Sequence, residues 1–220
     1  MAPDGVFVFE VSYLANVVTD TLFDTIYHEH LAYHSVKPLR RFFADNGMRL
    51  FSVERVASHG GSLRGMAGLA DGPHEQDGTV AGLCALEEDM GLDRAETFVD
   101  FGNDIDVLGA KLKTLLAGIK ADGKTVAGFG APAKATTLMY HFDIGADEID
   151  FIVDDSPLKQ GLFSPGAHIP VLPSDALYER RPDYVLILAW NFAEPIIDKH
   201  SAFLEGGGRF IVPLPDLKTF

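Results

Sequence analysis

The sequence predicts an α/β protein whose C-terminal part is a Rossmann-like parallel sheet with helices on both faces. Three observations predict it. From Lys124 onward, short apolar runs alternate with helical stretches, the pattern of parallel strands joined by helical crossovers. Gly128-Phe129-Gly130-Ala131-Pro132-Ala133 fits G-x-G-x-x-[GA] at the turn from the first of these strands into a helix. Ahead of that lobe, residues 1–70 read as strand, helix, strand and hairpin, the order found at the end of an α/β domain.

Taken in order, Pro3-Asp4-Gly5 reads as a turn and residues 6–11 (VFVFEV) as a short buried strand. Helices are expected near 12–22 and from Pro38 to Asn46, where Pro38 suits a first helical turn and Gly47 a C-terminal cap. Residues 48–56 alternate like a strand, and a second strand at 62–69 follows a tight turn at Gly60-Gly61. Residues 71–110 hold eleven acidic side chains and one basic one, Arg94, which suits a surface linker and a solvated helix face. Within and beyond them Phe98, Phe101, Ile105, Leu108, Leu112, Leu115 and Ile119 recur in steps of three and four, the stripe of an amphipathic helix. That stripe suits packing on its own domain or a dimer contact, and Gly102 and Gly109 weaken the coiled-coil reading. Strands at 125–129, 149–153, 183–189 and 209–212, with helices at 133–142 and 192–204, complete the C-terminal lobe. The expected division is 1–70, an acidic linker and long helix at 71–122, and the Rossmann-like lobe at 123–220.

A chain of 220 residues, 47% hydrophobic and 10% aromatic, can bury the core of one large or two small domains. Its formal charge of −14 argues against nucleic acid and against anionic membrane surfaces. Cys84 is the only cysteine, which excludes an intrachain disulfide and an all-cysteine zinc site. There is no apolar run of membrane-spanning length and no signal peptide, so a cytoplasmic location is expected.

Tyr27-His28-Glu29-His30, followed closely by Tyr33 and His34, packs two imidazoles, a carboxylate and a phenol into four residues. Proton transfer near neutral pH calls for a histidine held by hydrogen-bonding neighbours. A solvated histidine-rich loop and a metal cluster are the competing readings. His30 and His34 are an i, i+4 pair, but the pattern is not H-E-x-x-H and offers no third ligand at a fitting distance, so no metal is assigned.

The glycine turn at Gly128 and Gly130 lets backbone N–H groups approach a phosphate at a helix N-terminus, with Lys134 adding charge at the same mouth. Asp154 and Asp155 end the next strand, about where a Rossmann acid meets a ribose. Lys159 in the following loop and Trp190-Asn191 also lie at strand carboxyl ends, where open α/β sheets take ligands. A ligand-free strand–helix turn, and a tryptophan that merely covers the core, are the plain alternatives. His59-Gly60-Gly61 with Arg64 reads equally as an anion nest or an ordinary hairpin turn.

Together these pieces resemble the S-adenosylmethionine-dependent C-methyltransferases that act on nucleotide-linked keto-sugars in deoxysugar biosynthesis. The resemblance runs through Phe9-Glu10-Val11, FDTIYHEHLAYHS, HGGSLR, GFGAPAKATT, IVDDSPLKQGLFSPGAHIPV and LILAWN, in that order from residue 5 to about 215. It implies that His30 is the general base that takes the proton beside the sugar ketone, with Tyr27 and Glu29 positioning the sugar or the imidazole. From the loops and strand ends already described, Tyr33, His59, Arg64, Gly128, Gly130, Lys134, Asp155, Lys159, Trp190 and Asn191 are the candidates for substrate binding. The first lobe would then be the C-terminal part of a class I methyltransferase sheet, beginning at its fifth strand. The resemblance further implies that the zinc-binding domain, and the first four strands with the loop that holds S-adenosylmethionine, lie outside these residues. The isolated chain is therefore expected to bind the donor poorly and not to catalyse, with the upstream half or a second copy as its partner. Two other readings remain: a nicotinamide-dependent oxidoreductase built on Gly128–Ala133, and a non-catalytic nucleotide-sugar binding module.

Overall fold

The structure, a computed structural model, describes residues 1–220, except that the side chain of His59 lies outside the described residues. The chain divides into two compact units, the first formed by Met1–Leu22 and His30–Gly102, the second by Phe23–Glu29 and Asn103–Phe220.

The first unit contains β1 (Phe7–Ser12), α1 (Leu14–Thr19), α2 (Val36–Asp45), β2 (Met48–Val56), β3 (Ser62–Leu69) and α3 (Thr79–Asp89). Its sheet has the order β1-β3-β2 and is wholly antiparallel. Val36, Phe43, Leu50, Val53, Leu63, Ala67 and Val80 form the core between α2, α3 and the sheet. β1 is an edge strand whose neighbouring Phe7 and Val8, on opposite faces, are both exposed and none of whose residues is fully buried, so VFVFEV is a largely exposed edge rather than the buried strand expected. At the β2–β3 turn Gly61 has φ +128, and a Cβ there would lie 2.5 Å from Asn16 Cγ; only glycine fits.

Three further expectations are corrected in this unit. The first helix is six residues, Leu14–Thr19, because the chain leaves it to form the 3₁₀ turn Phe23–Thr25. The second begins at Val36, two residues before Pro38. Part of the acidic stretch is α3, whose Glu87 is only 2% exposed. The Glu87 carboxylate accepts hydrogen bonds from Val36 N–H, from Lys37 N–H at 3.0 Å and from Tyr13 O–H at 3.1 Å. An acid at the open N–H groups of α2 satisfies donors that no intrahelical carbonyl reaches. Burial and this carboxylate together push the Tyr13 phenol well above its ordinary value.

α4 (Ala95–Ala121) leads into the second unit, where Ile105, Leu108, Leu112, Leu116 and Ile119 form its buried face. There follow β4 (Val126–Phe129), α5 (Ala133–His141), β5 (Phe151–Val153), β6 (Val171–Leu172), α6 (Ala176–Arg180), β7 (Tyr184–Ile187), α7 (Ala193–Lys199), α8 (Ser201–Glu205), β8 (Arg209–Val212) and β9 (Lys218–Thr219). The sheet order is β6-β5-β4-β7-β8-β9, parallel throughout except for β9. This is the expected α/β, Rossmann-like architecture. The helix expected at 192–204 is two helices broken at His200, which is 4% exposed. His200 Nδ1 lies 2.9 Å from Tyr178 Oη, its ring packs edge-on to Phe129, and burial holds its pKa below the ordinary value.

Candidate active site

β4 has β5 on one side and β7 on the other, so the strand order reverses there. Open parallel sheets take their ligands outside the carboxyl ends of strands at such a switch point. In this chain the crevice is lined by the turn Gly130–Pro132 after β4 and by the 3₁₀ turn Trp190–Phe192 after β7.

The glycine turn is committed to internal contacts. Gly130 has φ +88, and a Cβ on it would lie 2.6 Å from Ala189 Cβ. Ala131 N–H donates to Asp154 Oδ2 at 2.7 Å, Ser156 N–H donates to Asp154 Oδ1 at 2.8 Å, and Lys159 Nζ sits 3.1 Å from Oδ2. Desolvation raises the Asp154 pKa, but these hydrogen bonds and the ammonium outweigh it and hold the carboxyl below its usual range. A phosphate seeking the Ala131 N–H would meet a carboxylate already there. Replacing Gly130 with alanine is expected to cost about 2–4 kcal/mol, from left-handed strain plus overpacking on Ala189; urea unfolding measures it. Asp154→Asn is expected to destabilise by about 1–3 kcal/mol through its weakened charge-assisted bonds. The Asp154 pKa is depressed on folding, so its stabilisation is present above the unfolded carboxyl pKa and is lost as pH falls through the folded one. Urea midpoints measured as a function of pH are therefore expected to fall less steeply into acid for Asp154→Asn than for the native chain.

Asp155 lies beyond Asp154 and is held by Lys199 at 2.6 Å and by the Ser174 hydroxyl at 2.5 Å. The Lys199 and Ser174 hydrogen bonds lower its pKa. Gly128 is buried in β4, and a Cβ there would come within 3.0 Å of Ile152 and Leu188. Asn191 is exposed in the turn that buries Trp190. Next to the glycine turn, a mostly apolar cavity of 190 Å³ opens between Pro132, Thr136, Met139, Tyr140, Lys159 and Phe163.

One of the boundaries between the two units falls between Glu29 and His30. On the second-unit side, residues 23–29 follow one face of α5. The Phe23 ring packs on His141 and Phe142, with ring centres 5.2 and 5.0 Å apart, and Thr137 Oγ1 donates to the Ile26 carbonyl at 3.4 Å. Lys134, Thr137 and His141 are spaced three and four residues apart, the face of a helix. Tyr27 Oη lies 3.5 Å from Glu29 Oε2, at the limit of a hydrogen bond, and the Tyr27 and His28 rings meet edge to face.

Asp24 is fully buried. Its Oδ2 accepts the Trp190 indole N–H at 2.6 Å and lies 3.6 Å from Lys134 Nζ, which in turn stands 4.1 Å from the centre of the Trp190 ring. Burial raises the Asp24 pKa against the pull of Lys134, and burial lowers that of Lys134 against the pull of Asp24.

In the first unit, the His30 and Tyr33 rings lie edge to face with centres 6.4 Å apart. His34 is tied by its backbone to the end of β1, its N–H to Ser12 C=O and its C=O to Leu14 N–H. Arg64 pairs with Glu10 at 3.1 Å and Glu54 at 3.6 Å, so its charge is already engaged within the sheet. The side chain of His59 lies outside the described residues. Among the described residues, no group of three or more His, Cys, Asp or Glu side chains is arranged to hold a metal, and no helix is long and apolar enough to cross a membrane.

Sequence reasoning placed Lys134 and Trp190 near a ligand site but missed Asp24, which joins them. The available signal was an acid set among Phe23, Thr25 and Ile26, a poor place for an unpaired carboxylate.

A mostly parallel sheet with a glycine turn at its switch point, and with residues 23–29 packed along its helix α5, defines a Rossmann-like α/β unit. The chain belongs to the family described as the C-methyltransferase C-terminal domain, which matches residues 57–215. It is 42% identical over 216 residues to the C-methyltransferase NovU of Streptomyces niveus, an alignment that covers 98% of this chain and 51% of the relative. The chain thus spans about half the length of the curated relative it matches.

Proposed function

We propose that this chain is the base-bearing, C-terminal part of an S-adenosylmethionine-dependent C-methyltransferase acting on a nucleotide-linked keto-sugar. The observation that carries the reading is the 42% identity to a C-methyltransferase over 98% of the chain, together with the C-methyltransferase C-terminal family match at residues 57–215. Carbon methylation beside a ketone needs a base to remove the α-proton and a group to stabilise the enolate oxygen. His30 takes the proton, with Tyr27 and Glu29 positioning the sugar or the imidazole. The methyl group would come to the enolate carbon from S-adenosylmethionine, which would leave as S-adenosylhomocysteine.

The residues of this chain do not fit the methyl donor. Gly130 is packed on Ala189, and the Ala131 N–H is taken by Asp154. The three-stranded sheet of the first unit joins its strands in antiparallel pairs. The donor is therefore assigned to an upstream half corresponding to the rest of the relative's length, and the isolated chain is inactive in methyl transfer. The exposed apolar edge of β1 suits pairing with a strand of that half. The same engagement of the glycine turn weighs against the nicotinamide reading. A nucleotide-sugar that binds the second unit has the apolar cavity beside Tyr140 and Phe163 to enter.

The test is reconstitution: this chain, the upstream half of the relative, S-adenosylmethionine and dTDP- or UDP-linked keto-sugars, with methylated sugar followed by mass spectrometry. Transfer that requires both halves supports the reading. Tight NAD binding by calorimetry, with no affinity for the nucleotide sugars, would contradict it.

A further inference from the structure

We infer that Lys134 is a positioning residue, which together with Trp190 holds Asp24 in the switch-point crevice and so seats residues 23–29 as the sheet's own internal ligand. The crevice at the carboxyl ends of β4 and β7 is where a fold of this class takes a bound molecule. Here Lys134, in the first turn of α5, and Trp190, just after β7, both turn to one carboxylate that is 166 residues from the tryptophan in sequence.

The contacts are made to hold. Asp24 is 0% exposed and the Lys134 side chain 16%. The ammonium stands close to both the carboxylate and the face of the indole, which also bond each other, and cation–π attraction strengthens when the cation is desolvated. Asp24 Oδ1 has no hydrogen-bond partner among the described residues, so the anion depends on Trp190 and Lys134. A buried ion pair gives little net stability compared with apolar packing, but removing one partner strands the other charge. Its use is therefore specification: the pair accepts one placement of the segment. The Phe23 contacts and the Thr137–Ile26 hydrogen bond continue the seating along α5 toward Tyr27.

The seating stands on geometry alone. Its consequence, that it fixes where Tyr27 and Glu29 meet the reaction, rests on the proposed function. Two arms of one experiment separate them. Trp190 is the only tryptophan, so the indole N–H gives a single NMR signal. In the 220-residue chain, Lys134→Met is expected to shift that signal and to speed amide exchange at residues 24–27 by at least about tenfold, with β4, β5 and β7 unchanged. Lys134→Arg keeps the charge and is expected to restore both to within about twofold. Trp190→Phe, which removes only the N–H donor and part of the ring, is expected to raise exchange in the same residues. Unchanged exchange at 24–27 in Lys134→Met overturns the inference, as does loss of protection spread evenly over the sheet. In the reconstituted enzyme, Lys134→Met is expected to lower kcat by about tenfold or more with little change in KM, and Lys134→Arg to recover it. Faster exchange with unchanged kcat would overturn the catalytic consequence alone, whereas full activity in His30→Ala would overturn the proposed function and leave the seating intact.

Discussion

His30→Ala in the reconstituted enzyme is expected to lose methyl transfer by about 10²- to 10⁴-fold, the range that a positioned general base contributes. The loss should appear in kcat and in kcat/KM alike, because the base acts on the reacting proton and adds little to ground-state binding. His28→Ala, two residues away and exposed, is the matched control and is expected to stay close to native. Retained activity in His30→Ala would demote the imidazole to a structural neighbour of Tyr33. Steady-state rates of methylated-sugar formation decide between the two.

Glu87→Ala is expected to be the most damaging single change to the stability of the first unit, at about 3–5 kcal/mol. The estimate follows from three donors losing one acceptor, with a buried unsatisfied polar group costing about 1–3 kcal/mol each and some relief from water entering the space. The donors are the N–H groups of Val36 and Lys37 and the Tyr13 hydroxyl. Small domains are stable by only about 5–15 kcal/mol in all, so this one carboxylate accounts for a large share. Glu87→Gln keeps an acceptor oxygen and is expected to recover part of the loss. Glu88→Ala, next door, is expected to be nearly neutral, since its contact with Lys37 is a 3.8 Å surface pair. Urea denaturation of the three variants, read by circular dichroism, gives the order directly.

Glu87 also marks how far the sequence could be read. β2, β3 and β8 were legible to the residue because each carries an apolar alternation or run bounded by turn residues. α3 was hidden by its own charge. Leu-Glu-Glu-Asp reads as a solvated surface, and nothing in one dimension says that its first acid, Glu87, turns inward to meet Tyr13 and Val36. β6 and β9, at two residues each, are set by pairing with neighbouring strands and carry no periodic signal of their own. His200 broke the expected last helix through burial against Phe129 and Tyr178, contacts made to distant parts of the chain.

The candidate site divides in the same way. Tyr27, Glu29 and His30 were legible as candidates from residue type and crowding, and Lys134 and Trp190 from their places after strands. Asp24 was not, because its meaning lies in partners far along the chain. The glycine turn shows the converse: its pattern was legible, but its phosphate-binding sense depends on whether Asp154 turns toward the Ala131 N–H, and in the fold it does.

The most direct measurement of the central claim is solvent hydrogen exchange at the sugar. The reconstituted enzyme is incubated with the nucleotide-linked keto-sugar in D₂O without S-adenosylmethionine, and deuterium at the carbon beside the ketone is followed by NMR. The account predicts enzyme-dependent deuterium uptake at that carbon, abolished by His30→Ala and retained in His28→Ala. Uptake that persists in His30→Ala, or methyl transfer by an enzyme in which His30 has been removed, would contradict it.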